Sequence, residues 1–191
     1  MTIECLEIAG LRSALEALRL PYDLEPRSVL SYSGELYKRD DELYDSTILT
    51  QTHIKFHKKD LSLLQALVKR GDEHAKVLRG VIVWVKITAP MYWWWDLETY
   101  IVGHQRLLSG STMNKECKGL TGEALQKAKG EIPFGREITK VDYFSYQTLR
   151  RIYFQRKTHR LPEFHQFNTW IESLPYAKEF ITIENVNNKE N

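Results

Sequence analysis

The residues best suited to chemistry are cationic and hydroxyl side chains that accompany an aromatic stretch, in which three tryptophans follow one another. The set comprises Arg79, His104, Arg106, Ser109, Ser111, Arg156, His159 and Arg160. Arginine can hold a phosphate through two hydrogen bonds, hydroxyls can complete the contacts, and aromatic faces can sandwich a planar ring. The set suits a phosphate-bearing nucleotide, but the same arginines could equally pair with some of the 25 acidic residues. Residue types alone favour neither reading.

A buried strand followed by an aromatic helix is expected to position these groups. Residues 81–87 (VIVWVKI) form a short, β-branched and almost continuous apolar run, which predicts a strand covered on both faces. Trp94, Leu97 and Ile101 then recur at helical spacing, which predicts a helix as far as Gly103. Strand, helix and the polar cluster that follows would make the wall of a pocket.

Helical patterns flank this segment on both sides. Asp60 suits the N-cap of a helix that Gly71 closes, and residues 72–79 (DEHAKVLR) predict a second short helix that leads into the strand. Two helices near the C-terminus are predicted from Tyr143 to Thr158 and from Pro162.

Arg156 falls on the apolar face of the first of these C-terminal helices, because it lies four residues after Ile152 and three after Tyr153. A guanidinium on such a face needs an anion or a bidentate partner.

Composition limits the class of protein. At 191 residues we expect one domain over 1–183 and a polar tail over 184–191. A net charge of +2 is too small to indicate nucleic-acid binding by itself. Cys5 and Cys117 are far apart, which excludes a cysteine zinc site and suits a reducing cytoplasm. We expect no membrane span, because no apolar run is long enough to cross a bilayer. We also expect no metal site, because His53 and His57 have no carboxylate cluster nearby.

Several separated motifs resemble the flavin-dependent thymidylate synthase (ThyX) family, particularly its divergent, often phage-encoded relatives. In that family a histidine-bearing helix leads into a core strand, and the next helix ends in Arg-His-Arg-x-x-Ser. Here the matching segments are DEHAKVLR, VIVWVKI, YWWWDLETYIVG and then HQRLLS at 104–109. RLPY at 19–22, Ser111-Thr112-Met113 and LRRIYFQRKTHRL at 149–161 also resemble the divergent relatives.

The resemblance implies a mixed or antiparallel α+β fold, a homotetramer, and a methyltransferase that binds FAD and a dUMP-like pyrimidine nucleotide, with folate and NADPH as further ligands. It implies catalytic roles for two arginines that polarise the uracil and fix the phosphate, Arg106 and Arg156. The expected nucleotide-binding residues are Ser109, Ser111, Arg156 and Arg160. The expected cofactor-binding residues are His74, Arg79, His104, Arg106 and His159.

The motif also departs from the family. His104 and Gln105 stand where the family has Arg and His, and Asn114 replaces a histidine. Two hypotheses follow: a flavin-dependent pyrimidine-nucleotide enzyme, or a catalytically inactive scaffold that serves as a nucleotide sensor or a protein-binding module.

Overall fold

The computed structural model describes residues 1–22, 29–32 and 52–185. Its strands are β1 (Thr2–Ala9), β2 (Val29–Tyr32), β3 (Thr52–Lys55), β4 (Ile82–Pro90), β5 (His104–Ser109) and β6 (Glu137–Ser145). Its α-helices are α1 (Leu11–Arg19), α2 (Lys58–Lys69), α3 (Met91–Leu97), α4 (Gly122–Gly130), α5 (Tyr146–Gln155), α6 (Pro162–Glu172) and α7 (Ala177–Phe180). Short 3-10 helices occupy Leu20–Tyr22 and Lys76–Gly80.

The main sheet is antiparallel, in the order β1-β4-β6-β5, and β2 and β3 form a separate two-stranded ladder. The predicted α+β class with helices packed on an antiparallel sheet is therefore confirmed. β4 lies inside the sheet as expected, but only alternate side chains, among them Val83, Val85 and Ile87, are fully buried. The prediction that both of its faces are covered was wrong, because Lys86 is exposed.

Aromatic side chains fill the core between this sheet and the helices. Trp93 is fully buried, with its ring centroid 5.5 Å from the ring centroids of both Phe164 and Phe167 on α6. Trp94 and Phe144 are buried as well. Much of the aromatic content therefore packs the interior.

The helix predicted to reach Gly103 ends at Leu97 instead. The next segment turns away and reaches Gly103, which has a φ of +76°. A side chain there would meet Thr148 Oγ1 at 2.3 Å, so the segment lies directly on the start of α5. His104 then begins β5, which pairs with β6. The helical spacing of Ile101 was misleading, since its side chain is 76% exposed.

Three other helix predictions need correction. Residues 72–79 form turns and a 3-10 helix rather than an α-helix. His57, not Asp60, caps α2, and Asp60 is buried against Arg19. The helix predicted from Tyr143 begins three residues later, because Tyr143 belongs to β6.

The mixture of Pro, Ser, Gly, Tyr and charged residues from Tyr22 to Asp45 predicts a loop, and the β-branched run from Thr47 to Phe56 predicts a strand. Most of this loop and most of the polar tail fall outside the described residues. The strand is observed as the shorter β3. No helix in the described part of the chain has both the length and the apolarity to cross a bilayer.

Candidate functional site

Five charged or titratable side chains meet between β5, β6 and the end of α3. Asp142 is fully buried, and His104 Nε2 lies 2.7 Å from its Oδ2. Arg106 places Nε 3.5 Å from Asp142 Oδ1 and Nη1 2.8 Å from Glu98 Oε1. Lys140 Nζ is 3.1 Å from the same Glu98 oxygen. We call Glu98, His104, Arg106, Lys140 and Asp142 the charge network.

Strand register brings these groups together. Arg106 lies opposite Asp142, and His104 lies opposite Phe144, on which its ring stacks at 4.2 Å. Because a carboxylate can only accept, His104 Nε2 donates its proton to Asp142. The Arg106 guanidinium carbon lies 5.6 Å from the Trp94 ring centroid, close enough for a cation–π contact.

Electrostatics within the charge network stabilise ionised Glu98. Burial opposes ionisation, but hydrogen bonds from Lys140 and Arg106 lower the pKa of Glu98. Burial also lowers the pKa of Lys140, and the Glu98 hydrogen bond partly offsets that effect. Arg106 therefore has two carboxylates of its own chain beside it.

Arg156 lies in a different environment at the end of α5. Its guanidinium carbon is 5.3 Å from the Tyr100 ring centroid and 4.8 Å from that of Phe164. Nη2 reaches only as close as 3.5 Å to the backbone oxygen of Asp96. Nε is buried without a hydrogen-bond acceptor among the described residues. The prediction that Arg156 lies on an apolar face is thus confirmed.

His159 lies beside this arginine in a defined tautomer. Its Nδ1 accepts the Leu161 backbone N–H at 3.2 Å, so the neutral ring carries its proton on Nε2, 4.0 Å from Asp96 Oδ2. Burial and the nearby Arg156 lower the pKa of His159. We call Asp96, Tyr100, Arg156, His159 and Phe164 the Arg156 cluster.

A cavity of about 460 Å³ opens next to Arg156. Its lining consists of Thr99, Tyr100, Ile101, Val102, Thr148, Arg151, Gln155 and Arg156. The Thr148 hydroxyl donates to the Val102 backbone oxygen at 2.7 Å, which ties the wall from residues 99–102 to α5. Arg151 is paired with Asp72, with Nε 2.6 Å from Oδ2. The volume suits a small ligand.

Within a single chain, the remaining predicted site residues belong neither to the charge network nor to the Arg156 cluster. His74 and Arg160 are exposed, and Arg79 donates from Nε to Gln147 Oε1 at 2.7 Å. Ser109 donates to the Gly110 backbone oxygen, and Ser111 accepts the Asn114 N–H.

Sequence reasoning missed Asp142, Lys140, Tyr100, Thr148 and Arg151 as site residues. The sequence predicts a strand over Glu137 to Val141, one residue short of Asp142, whereas the observed β6 continues to Ser145 and pairs Asp142 with β5. Among the described residues, no group of three or more His, Cys, Asp or Glu side chains could hold a metal ion.

Comparison with known proteins identifies the fold. No protein-family model and no curated protein sequence matches the chain. The crystal structure of the flavin-dependent thymidylate synthase ThyX from Helicobacter pylori, complexed with FAD and dUMP, superposes with a TM-score of 0.65 at 13% identity. The match covers 94% of this chain and 98% of that one. A second structure of Helicobacter pylori ThyX with FAD and dUMP gives a TM-score of 0.64 at 12% identity over 95% and 97%. At this identity the likeness establishes a ThyX-like fold.

Proposed function

We propose that this protein binds a pyrimidine deoxynucleotide of the dUMP type and acts on it, with FAD, as a flavin-dependent nucleotide methyltransferase. The observation that carries the proposal is the Arg156 guanidinium, which borders a polar cavity while its buried Nε has no acceptor within the described chain. Neighbours of the same fold bind FAD and dUMP.

The nucleotide phosphate is proposed to bind at Arg156. A phosphate offers several strong acceptor oxygens, and charge-assisted hydrogen bonds to arginine are among the strongest in proteins. Two aromatic rings hold the guanidinium in place, so little side-chain entropy remains to be lost on binding. Thr148 and Arg151 line the same cavity, and exposed Arg160 follows closely in sequence.

The predicted cofactor residues fit FAD in part. Arg79, His74 and His159 carry exposed or half-buried polar groups and would hold it. When bound and reduced by NADPH, the flavin would supply the hydride of the reaction, and a folate would supply the transferred carbon. His104 and Arg106 are held inside the chain by Asp142 and Glu98.

The charge network is proposed to position Arg106 for substrate. Its side chain remains 30% exposed, so the guanidinium can polarise a uracil carbonyl from a fixed orientation. Ser109 and Ser111 are proposed to complete the nucleotide contacts. In this proposal the protein orients the nucleotide and stabilises charge, and no side chain needs to act as the base.

Calorimetric titration with dUMP tests the phosphate site. The wild-type chain should bind, and Arg156→Met should weaken binding at least about ten-fold through the loss of a charge-assisted bidentate contact. Lys157→Met, which removes the adjacent exposed cation, should change affinity less than about two-fold. Equal weakening by both variants would contradict a site at Arg156.

A visible absorbance spectrum with FAD, before and after dUMP, tests the cofactor. A flavin spectrum that changes on adding dUMP supports the enzyme. The second candidate is a nucleotide-binding scaffold without flavin chemistry, favoured by the pairing of His104 and Arg106 with their own chain. Binding of dUMP without any flavin spectrum would select that candidate.

We further propose that the protein is a homo-oligomer, with four subunits as in the family that it resembles. β5 is an edge strand, and Leu108 on it is 75% exposed, a combination that favours pairing with another chain. Light scattering should show a tetramer that Leu108→Lys dissociates. Leu20→Lys, at an equally exposed position, should leave the mass unchanged.

A further inference from the structure

A second cavity, of about 660 Å³, opens beside α3. Tyr92, Trp95, Asp96, Phe134 and Leu161 line it. Trp95 is 70% exposed and Phe134 is 53% exposed. This cavity shares no lining residue with the one at Arg156, so the proposed nucleotide site leaves it unexplained.

The three aromatic rings are inclined to one another. The Trp95 and Phe134 centroids are 5.9 Å apart with planes at 72°, and those of Tyr92 and Phe134 are 6.3 Å apart at 60°. Parallel rings would sandwich a flat heterocycle, whereas inclined rings form a corner around a compact group. Ring faces at such angles attract cations.

Two carboxylates accompany the rings. Asp96 lines the cavity, and the hydrogen bond from Arg156 goes to its backbone oxygen. Within the described residues, the ion-pair contact of its carboxylate is His159 Nε2 at 4.0 Å. Glu163 accepts the Tyr92 hydroxyl on Oε1, and its Oε2 is buried without a hydrogen-bond partner in the described part of the chain. Glu163 lies behind Tyr92 and is not part of the cavity lining, so Asp96 is the carboxylate that a ligand with positive charge and N–H donors would contact.

We infer that this cavity binds a protonated alkylamine. Its ammonium group lies among the three rings and donates to Asp96, and its alkyl chain packs on Leu161 and Trp95. Asp96 would repel an anionic ligand, and an uncharged ligand would leave its negative charge without a counter-ion. The inference stands on residues outside the proposed nucleotide cavity and does not depend on flavin chemistry.

Saturation-transfer NMR titrations of the full chain test this, with n-butylammonium chloride against uncharged n-butanol at matched ionic strength. We expect n-butylammonium to bind at least about ten-fold more tightly than n-butanol. Trp95→Ala and Asp96→Asn should each weaken n-butylammonium binding about five-fold or more. Trp84→Phe alters a tryptophan on β4 that packs on Tyr143, and it should leave binding unchanged.

Equal binding of n-butanol, or n-butylammonium binding that survives Asp96→Asn, would overturn the inference. Because Trp95 is exposed, Trp95→Ala should fold, and retained dUMP binding by that variant would verify this. If the wild-type chain binds dUMP but not n-butylammonium, the alkylamine site fails while the proposed function stands.

Discussion

Arg106 and Arg156 both lie over aromatic rings, yet their surroundings differ in charge. The Arg106 guanidinium has carboxylate oxygens of Glu98 and Asp142 at 2.8 and 3.5 Å. Arg156 has no salt bridge among the described residues and contacts Tyr100, Phe164 and one backbone oxygen. Nε of each arginine is buried without a hydrogen-bond acceptor among the described residues, so the contrast is one of charge. A guanidinium without a carboxylate partner indicates an anionic ligand more directly than one already neutralised.

The sequence motifs and the structure therefore rank the two arginines differently. Motif resemblance implied roles for both arginines, whereas the cavity and the lack of a carboxylate partner among the described residues favour Arg156 as the ligand-binding one. Residues 98–103 join the two regions, because Glu98 belongs to the charge network and Tyr100 to the Arg156 cluster. Variants in each region should therefore separate structural pairing from ligand binding.

The largest effect is expected from Asp142→Ala. The substitution removes the buried acceptor of His104 and one of the two carboxylates beside Arg106, so the free energy of unfolding should fall by about 3 kcal/mol. Urea unfolding followed by circular dichroism measures it. Glu4→Ala removes an exposed pair with Lys86 and should cost less than about 0.5 kcal/mol. Similar losses in both variants would mean that the charge network is not structural.

A smaller effect is expected where the two regions join, at Gly103. Gly103→Ala combines a positive φ with a contact to Thr148 and should cost about 2 kcal/mol, measured by the same urea unfolding. Gly119→Ala is a matched control with a φ of +77° and open space around the added carbon. It should cost only about 1 kcal/mol. Equal costs would show that the close approach at Gly103 is unimportant.

Local patterns predicted the Arg156 region better than the charge network. The apolar face of α5 can be predicted from the spacing of residues three and four apart in the sequence. The same spacing predicts that Arg156, a charged residue, lies on that apolar face. Arg106 and Asp142 are 36 residues apart in the sequence, and their pairing depends on the register between β5 and β6, which no local pattern contains. The helix predicted for α3 was likewise too long, because the pairing of β5 with β6 outweighed the helical spacing of Ile101.

Arg156→Met should leave the free energy of unfolding nearly unchanged, in contrast to the large loss expected for Asp142→Ala. The substitution retains an apolar stem on Tyr100 and Phe164 and removes a buried nitrogen without an acceptor, so we expect a change within about 0.5 kcal/mol. Arg150→Met, on the same helix, removes bonds to the Ile181 backbone oxygen and Asn185 and should cost about 2 kcal/mol. Urea unfolding compares them, and a large loss for Arg156→Met would assign this arginine to the fold.

A further effect, confined to acidic pH, is expected on stability through Glu98. Because its pKa is lowered in the folded chain, its ionisation adds stability above its ordinary pKa of 4.5, and this contribution is lost as pH falls through the folded pKa. In that acidic range the free energy of unfolding, measured by urea, should decline less steeply in Glu98→Gln than in the wild-type chain. The difference should be less than about 1 kcal/mol, because the Glu98 side chain is half exposed. Glu131→Gln alters an exposed pair with Lys127 and should leave the slope unchanged. An unchanged slope in Glu98→Gln would mean that Glu98 does not pair with Arg106 in solution, so that the contrast with Arg156 would rest on buried Asp142 alone.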